Sequence, residues 1–401
     1  MTITVIGVDG ERLPDGATTA LAQARFVVGS GRALVRHSPN GKRTIQLGAL
    51  IPALTELEHA DKAGEHAVVL ASGDPTMFGI VRSLRERGIR PVVLPSLSSV
   101  QRLLGRLGRP WDDVTVVSAH GLPLNQVLNV CRARRAVAVL TAPESGPAEI
   151  GLGLKGWRRT LVVAENLGSP EEQITQLDAT EANNRIWMDP NIVLCLADPD
   201  AVPERGWNLG GPFTPRGDGF ALAEEEFSHR DGMITKAEVR ALALAKLGAA
   251  PGKLVWDIGA GSGSVGVECA RLGAAVIAVE RDPMQCTRVV ANAAEHRVDV
   301  RMVEGEAPWV LTELPTPDSV FVGGGGPEVV AAAASRGAQR VVVTLAALER
   351  VGPSRDALRW AGYKVEGVQL QVARFADLPD GTTRLNALNP VVVLWGVRTP
   401  R

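Results

Sequence analysis

Four cysteines, one tyrosine and almost no net charge set the first limits on this 401-residue chain. Cys131, Cys195, Cys269 and Cys286 form no C-x-x-C pair and sit in apolar or helical contexts, which excludes a disulfide framework and implies reduced structural thiols. Six histidines are scattered without H-x-H or H-E-x-x-H spacing, so no metal site is expected. No apolar run reaches about 18 residues and no basic-then-apolar segment opens the sequence, so no membrane span or secretory signal is read and a cytoplasmic location is expected. A net charge of -1 with 4% aromatic residues leaves no basic, aromatic-studded surface for nucleic acid. What remains, 45% hydrophobic and 22% charged, is ordinary globular composition at a length that suits two enzyme domains.

The patterning is α/β, twice over. From Met1 to about Asp198, short apolar runs read as strands at Ile3 to Ile6, Val68 to Ala71, Val92 to Leu94, Val114 to Val117, Val137 to Leu140, Leu161 to Ala164 and Ile192 to Leu196, several of them separated by segments rich in Leu, Ala and Arg. Pro199 to Asp218 is dense in Pro, Gly, Asp and Trp and marks the boundary, giving domains over 1–202 and 229–401 with a linker over 203–228. The second half restarts with Thr235-Lys236-Ala237-Glu238, a capping-box pattern ahead of an apolar helix face. Strands at Lys253 to Asp257, Val276 to Glu280, Val300 to Glu304, Ser319 to Val322 and Val341 to Thr344 then alternate with helices at Ser264 to Leu272, Pro283 to His296 and Arg355 to Ala361. Two closing runs, Tyr363 to Arg374 and Pro390 to Gly396, linked by the turn-like Pro379-Asp380-Gly381, would complete a seven-stranded sheet as an antiparallel pair.

The segment Val255-Trp256-Asp257-Ile258-Gly259-Ala260-Gly261-Ser262-Gly263, followed one helix later by Ala278-Val279-Glu280, carries the most chemistry. A strand that ends in an acid, passes three alternate glycines and opens a helix brings bare backbone to a ligand, and the next strand delivers a carboxylate to the same edge. Gly261-Ser262-Gly263-Ser264-Val265-Gly266 also fits the dinucleotide pattern G-x-G-x-x-G with Glu280 as the ribose-binding acid, so an NAD-dependent oxidoreductase stays open. The extra Gly259, the acid Asp257, which would anchor the loop or meet a ligand ammonium, and the loop's place behind a complete first domain favour S-adenosylmethionine (SAM).

Two further motif sets resemble known families. Gly232 to Arg240, the glycine loop, Glu280-Arg281-Asp282-Pro283, Gly305-Glu306-Ala307-Pro308 and Phe321-Val322-Gly323-Gly324-Gly325 resemble the C-15-methylating, decarboxylating enzymes of cobalamin synthesis. In the first half, Ile3 to Gly10, Ala71-Ser72-Gly73-Asp74-Pro75-Thr76-Met77-Phe78-Gly79, Pro95 to Val100, Trp111 to Val114 and Ser118-Ala119-His120-Gly121 resemble the C-5-methylating branch of the tetrapyrrole methylases. Their order resembles that of the fused C5,15-methyltransferase family acting on precorrin-6Y. The resemblance implies a class III tetrapyrrole-methylase fold followed by a Rossmann-like class I SAM methyltransferase fold, with two SAM sites per chain. It also implies methylation at two bridge carbons and loss of the ring C acetate as carbon dioxide, a tetrapyrrole substrate, no metal, and a homo-oligomer. An RNA methyltransferase and a non-catalytic scaffold are the rival classes.

The same resemblance distributes roles. Cofactor contacts fall to Thr235, Asp257, Gly259, Ala260, Gly261, Ser262, Gly263, Glu280 and Ala307 in the second domain, and to Gly73, Asp74, Pro75, Ser98, Ser99 and His120 in the first. Substrate contacts fall to Gly7, Asp9, Gly10, Gly323 and Gly324. Catalytic residues are open, with Lys236 and Arg240, four apart on one helix face, as candidates for holding an acetate. Thr344 and Ala347 stand where Asn and Thr are the family pattern, and Asp9 interrupts the usual G-x-G-x-G opening loop. The groups Arg82/Arg85/Arg87/Arg90, Arg102/Arg106/Arg109 and Arg132/Arg134/Arg135 read as solvated helix faces, although any that line a cleft would suit a polycarboxylate.

Overall fold

The computed structural model describes residues 2–10, 12–48, 50–202, 219–230 and 232–398, so 203–218, the first part of the expected linker over 203–228, lies outside the described residues. The described residues fall into two compact units, one taken from 2–121, 138–152 and 160–202, the other from 219–398 with 122–137 and 153–159.

Two five-stranded sheets carry the first half of the sequence. The first joins β1 (Ile3–Val8), β2 (Phe26–Gly29), β3 (Arg43–Gln46), β4 (Ala67–Ser72) and β5 (Val92–Leu94) in the order β3-β2-β4-β1-β5, with every pair parallel. Ile3, Val5 and Ile6 of β1 are fully buried, as expected of a central parallel strand covered on both faces. The second joins β6 (Val114–Ser118), β7 (Ala136–Leu140), β8 (Thr160–Glu165), β9 (Gln173–Asp178) and β10 (Asn191–Leu196) in the order β6-β7-β10-β8-β9. β2, β3 and β9 are absent from the sequence reading. β3 and β9 are edge strands of largely polar residues, whose order comes from pairing with a neighbour rather than from an apolar pattern.

The second unit holds the expected seven-stranded sheet. β11 (Leu254–Ile258), β12 (Ala275–Glu280), β13 (Arg301–Glu304), β14 (Ser319–Val322) and β15 (Arg340–Leu345) are parallel, and β16 (Tyr363–Leu370) and β19 (Val391–Arg398) close it in the order β13-β12-β11-β14-β15-β19-β16. β19 runs antiparallel to both β15 and β16. The run Tyr363 to Arg374 is not one strand. After Leu370 the chain leaves the sheet to form a separate ribbon, β17 (Ala373–Asp377) against β18 (Thr383–Ala387), and the Pro379-Asp380-Gly381 turn is the tip of that ribbon rather than the link between the final pair. The helix Pro327–Ser335 completes the α/β alternation and is also missing from the sequence reading.

Thr235-x-x-Glu238 does not form a capping box. Lys236 stands at the N-cap position without a side-chain cap, and the Ala237 amide donates instead to Glu224 Oε1 at 2.8 Å. Glu238 is drawn away by the guanidinium of Arg374, which donates to it at 2.9 and 2.7 Å and to Glu224 at 2.6 and 2.9 Å. A planar fork binding two carboxylates bidentately outcompetes a single backbone cap. The Arg374 hydrogen bonds hold the Glu224 carboxyl down at about 2.

All four cysteines are buried and none forms a disulfide. Among the described residues no helix is long and apolar enough to cross a membrane, and no group of three or more His, Cys, Asp or Glu is arranged to hold a metal.

Candidate functional site

At the C-terminal end of β11 the glycine loop is shaped by backbone that only glycine adopts easily. Gly259, Gly261 and Gly263 have φ of 66°, 55° and 75°. Gly259 and Ala260 donate to Val279 O at 2.9 and 3.2 Å, and Gly263 donates to Ala260 O at 2.8 Å and starts the helix Ser264–Arg271. A Cβ at Gly261 would meet nothing within 4 Å, so the space above the loop is open to a ligand. At Gly259 a Cβ would lie 2.8 Å from Gly324 N, because the loop after β14 packs backbone to backbone against it. A Cβ at Gly323 would lie 2.9 Å from the Phe321 ring and 3.2 Å from Gly259 O, whereas one at Gly324 would make only ordinary contact with Gly259.

Two acids brace this loop. Asp257 is buried, and its Oδ2 accepts from the Gly266 amide at 2.8 Å while Oδ1 has no partner among the described residues. Burial pushes its carboxyl up to about 7, against the opposing pull of the Gly266 amide. Glu280 accepts from Gly261 N at 2.9 Å through Oε2, and from Arg281 N at 2.9 Å and Asp282 N at 3.1 Å through Oε1. The loop after β13 joins the same edge, since Gly305 N donates to Glu280 O at 2.9 Å, which sets Ala307 two residues beyond that contact. The buried Ser262 carbonyl accepts from Asn292 Nδ2 at 2.7 Å, a contact the sequence reading missed because an Asn in mid-helix carries no spacing signal.

Asn292 also holds the segment that precedes the helix Ala237–Leu247. Its Nδ2 donates to Ser228 O at 2.9 Å and its Oδ1 accepts from Ser228 N at 2.8 Å. This strap, residues 219–230 and 232–236, is pinned further by Glu268, which accepts from Ala221 N and Leu222 N at 2.5 and 3.0 Å and from Arg240 Nε at 2.6 Å. Arg240 is fully buried and donates also to Thr235 O at 2.6 Å and to Leu222 O. That commitment removes Arg240 as an acetate-holding cation: a buried guanidinium paired with Glu268 orders the strap and does not reach a ligand. Lys236, its expected companion, is the N-cap residue, and its ammonium donates to Gly232 O at 3.3 Å. Thr235 is placed on the strap, and its recorded bond is the one its carbonyl makes with Arg240.

In the first unit the ends of β1 and β4 face a cleft of about 710 Å³ shared with the second sheet. Asp9, Gly10, Gly73, Asp74, Pro75, Ser98, Ser99 and His120 all line it. Gly73 sits at φ 66°, and Asp74 Oδ1 accepts from Thr76 N and Oγ1 at 2.8 and 2.7 Å, which fixes the turn. Ser98 forms a true capping box with Gln101 at the start of the helix Ser99–Leu107, so its side chain serves that helix. His120 is exposed, its amide donating to Ser118 Oγ at 3.3 Å. Gly7 is the exception. It does not line the cleft, and a Cβ there would lie 2.6 Å from Gly73 O and 2.8 Å from Ser96 N, so its glycine lets β1 run flush against two loops.

Asp9 forms an ion pair with Arg102, the one member of the sequence-flagged arginine groups that lines the cleft. Arg32, Arg36 and His37 line it as well, from the helix Gly31–His37. Arg32 Nη1 donates to Asn166 Oδ1 at 3.0 Å, and His37 Nε2 donates to Gly10 O at 3.2 Å. The sequence signal for this cationic wall, Arg at i and i+4 followed by His, lay behind the unassigned strand β2.

Residues 4–183 match the tetrapyrrole (corrin/porphyrin) methylases, and residues 225–397 match the precorrin methyltransferase domain. The precorrin-6Y C(5,15)-methyltransferase [decarboxylating] of Sinorhizobium sp. is 35% identical over 339 residues, covering 82% of this chain and 79% of that one. The chain belongs to the precorrin-6Y C5,15-methyltransferase (decarboxylating) family. Members of this family are methyltransferases, and so is this chain, which removes the NAD-dependent alternative. Two shorter relatives each match less than half of it. The probable cobalt-precorrin-6B C(15)-methyltransferase (decarboxylating) of Pyrobaculum aerophilum is 37% identical, covering 43% of this chain and 93% of its own length. The cobalt-precorrin-7 C(5)-methyltransferase of Salmonella typhimurium is 32% identical, covering 48% of this chain and 98% of its own length.

Proposed function

We propose that the chain methylates precorrin-6Y at C-5 and C-15 with SAM and removes the ring C acetate as carbon dioxide, giving precorrin-8 in cobalamin biosynthesis. The observation that carries this reading is the presence, on one chain, of two separate glycine-bearing ligand edges. One is the Gly73 turn at a 710 Å³ cleft, and the other is the Gly259 to Gly263 loop beside Glu280. Each lies in a half with its own methyltransferase family match.

In this reading the domain over 1–202 serves C-5, and the domain over 229–401 serves C-15 and the decarboxylation. The residues present suit SAM at both edges. In the second domain the amides around Gly259, Gly261 and Gly263 receive the methionine end. Glu280, already an acceptor of three backbone amides, takes the ribose hydroxyls by charge-assisted hydrogen bonds. In the first domain the Gly73-Asp74-Pro75 turn, Ser98, Ser99 and the His120 segment surround the cofactor. Arg32 and Arg36 offer cationic donors to the carboxylates of the macrocycle.

When bound, SAM supplies an electrophilic methyl that an electron-rich bridge carbon attacks in line. The protein's share is to position the macrocycle and exclude water, and no enzyme nucleophile is needed. At C-15, methylation leaves the conjugated system able to accept the electron pair released when the acetate C–C bond breaks, so one pocket serves both steps. The test is incubation of the full chain with precorrin-6Y and SAM, with mass spectrometry reading two methyl gains and one carbon dioxide loss. A product with methyl gains at neither bridge carbon would remove the reading.

A further inference from the structure

A second hollow, of about 380 Å³, is lined by His229, Arg230, Asp282, Met284 and Arg288. We propose that it is a carboxylate-binding subsite, formed by the strap and the helix Pro283–Glu295, which grips one acidic side chain of the tetrapyrrole while the second domain acts on it. This inference rests on the proposed reaction for its ligand, and on the following geometry for its place.

The lining sets two arginines, Arg230 and Arg288, against one acid, Asp282. Arg288 is half-buried and has no hydrogen-bond or ion-pair partner among the described residues, whereas nearby Arg281 is paired with Glu306 at 3.1 Å. The one acid in the lining, Asp282, caps the helix Pro283–Glu295 by accepting from Met284 N at 2.9 Å. His229 Nδ1 accepts from Gly232 N at 3.2 Å, so Nε2 carries the ring proton and is a donor. A guanidinium fork with an imidazole N–H beside it matches a carboxylate in shape and charge. A partly desolvated arginine with no hydrogen-bond or ion-pair partner is costly in the free protein, and a ligand anion removes that cost.

The hollow is also tied to the cofactor edge. Asp282 lies two residues beyond Glu280, the acid that braces Gly261. On the other side His229 follows Ser228, which Asn292 clamps with two hydrogen bonds while the same side chain holds the Ser262 carbonyl of the glycine loop. One buried amide thus sets the distance between the anion donors and the cofactor loop.

The experiment uses the full chain loaded with SAM and titrated calorimetrically with uroporphyrin I, a stable polycarboxylate porphyrin. Arg288→Gln should weaken porphyrin binding at one site by about tenfold, the loss expected for one charge-assisted hydrogen bond, while SAM affinity stays within about twofold. Arg288→Lys should recover part of the loss, since it keeps the charge and gives up the fork. Unchanged porphyrin binding in Arg288→Gln, or an equal loss of SAM affinity, overturns the subsite. Failure of the wild-type chain to methylate precorrin-6Y would overturn the proposed reaction instead, and the porphyrin titration would still decide the subsite.

Discussion

Gly259 and Gly324 meet backbone to backbone at the C-terminal edge of the seven-stranded sheet, so closely that a methyl group on the first would lie 2.8 Å from the amide nitrogen of the second. Gly261, two residues on, has a comparable left-handed φ and open space around it. The two glycines are therefore required for different reasons.

Alanine substitution should separate those reasons. Gly261→Ala adds only left-handed strain, roughly 1–2 kcal/mol. Gly259→Ala adds that strain and an overpacking term of about 1–3 kcal/mol, because the obstructing atoms are backbone and cannot rotate away. Chemical denaturation should rank Gly259→Ala as the less stable by at least the second term, and equal losses would mean that the two loops move apart.

Glu280→Ala removes the acceptor of three backbone amides and the proposed ribose ligand together. SAM affinity in the second domain should fall about 10- to 100-fold, the value of a hydrogen bond to a charged group, with binding in the first domain unchanged. Calorimetry on the intact chain reads both proposed sites at once, and a parallel loss at the two would contradict their independence.

Asp257 gives a pH signature. Its folded-state carboxyl is raised to about 7 by burial, above its ordinary value of 3.8, so between those values the folded chain binds a proton that the unfolded chain has released. That contribution to stability is complete below about pH 4 and is lost as pH rises through about 7. Asp257→Asn keeps an oxygen for the Gly266 amide and removes the titration. The fall in stability from pH 4 to 7 should accordingly be shallower in the variant, by up to about 1.4 kcal/mol per pH unit, and denaturant midpoints across that range check it.

Gly7→Ala should act on one reaction only. The added carbon lies 2.6 Å from Gly73 O and 2.8 Å from Ser96 N, and so displaces the turn proposed to hold SAM in the first domain. With precorrin-6Y and SAM, the variant should lose methylation at C-5 and keep methylation at C-15 with carbon dioxide release. Loss of both would show that the second domain waits on the first.

The fold was legible wherever burial is symmetric. Central strands such as β1, β11 and β14 announce themselves because both faces are apolar, and the glycine loops because positive φ demands glycine. Edge strands β3 and β9 were hidden because half of their order comes from a partner strand. At the candidate site, the glycines whose positive φ shapes the loops were readable, whereas Arg240 was misjudged: four residues from Lys236 on one helix face, it reads in sequence as a cation to hold an acetate, and only the fold reveals Glu268 opposite it. The same limit concealed Asn292 and Arg288, whose importance lies in what surrounds them.

Each of two sheets places its last-made strand in an interior position: β10 lies between β7 and β8, and β19 between β15 and β16. On the ribosome, the apolar edge of β15 must therefore wait uncovered until residues 391–398 emerge, while the earlier sheet can seal once residue 196 is out. Synthesis should leave a long interval in which two completed five-stranded sheets are followed by an open, adhesive seven-stranded one. Chaperone dependence during production should fall on the later half of the chain, and a stalled nascent chain lacking β19 should be captured by a holdase that ignores one stalled shortly after β10.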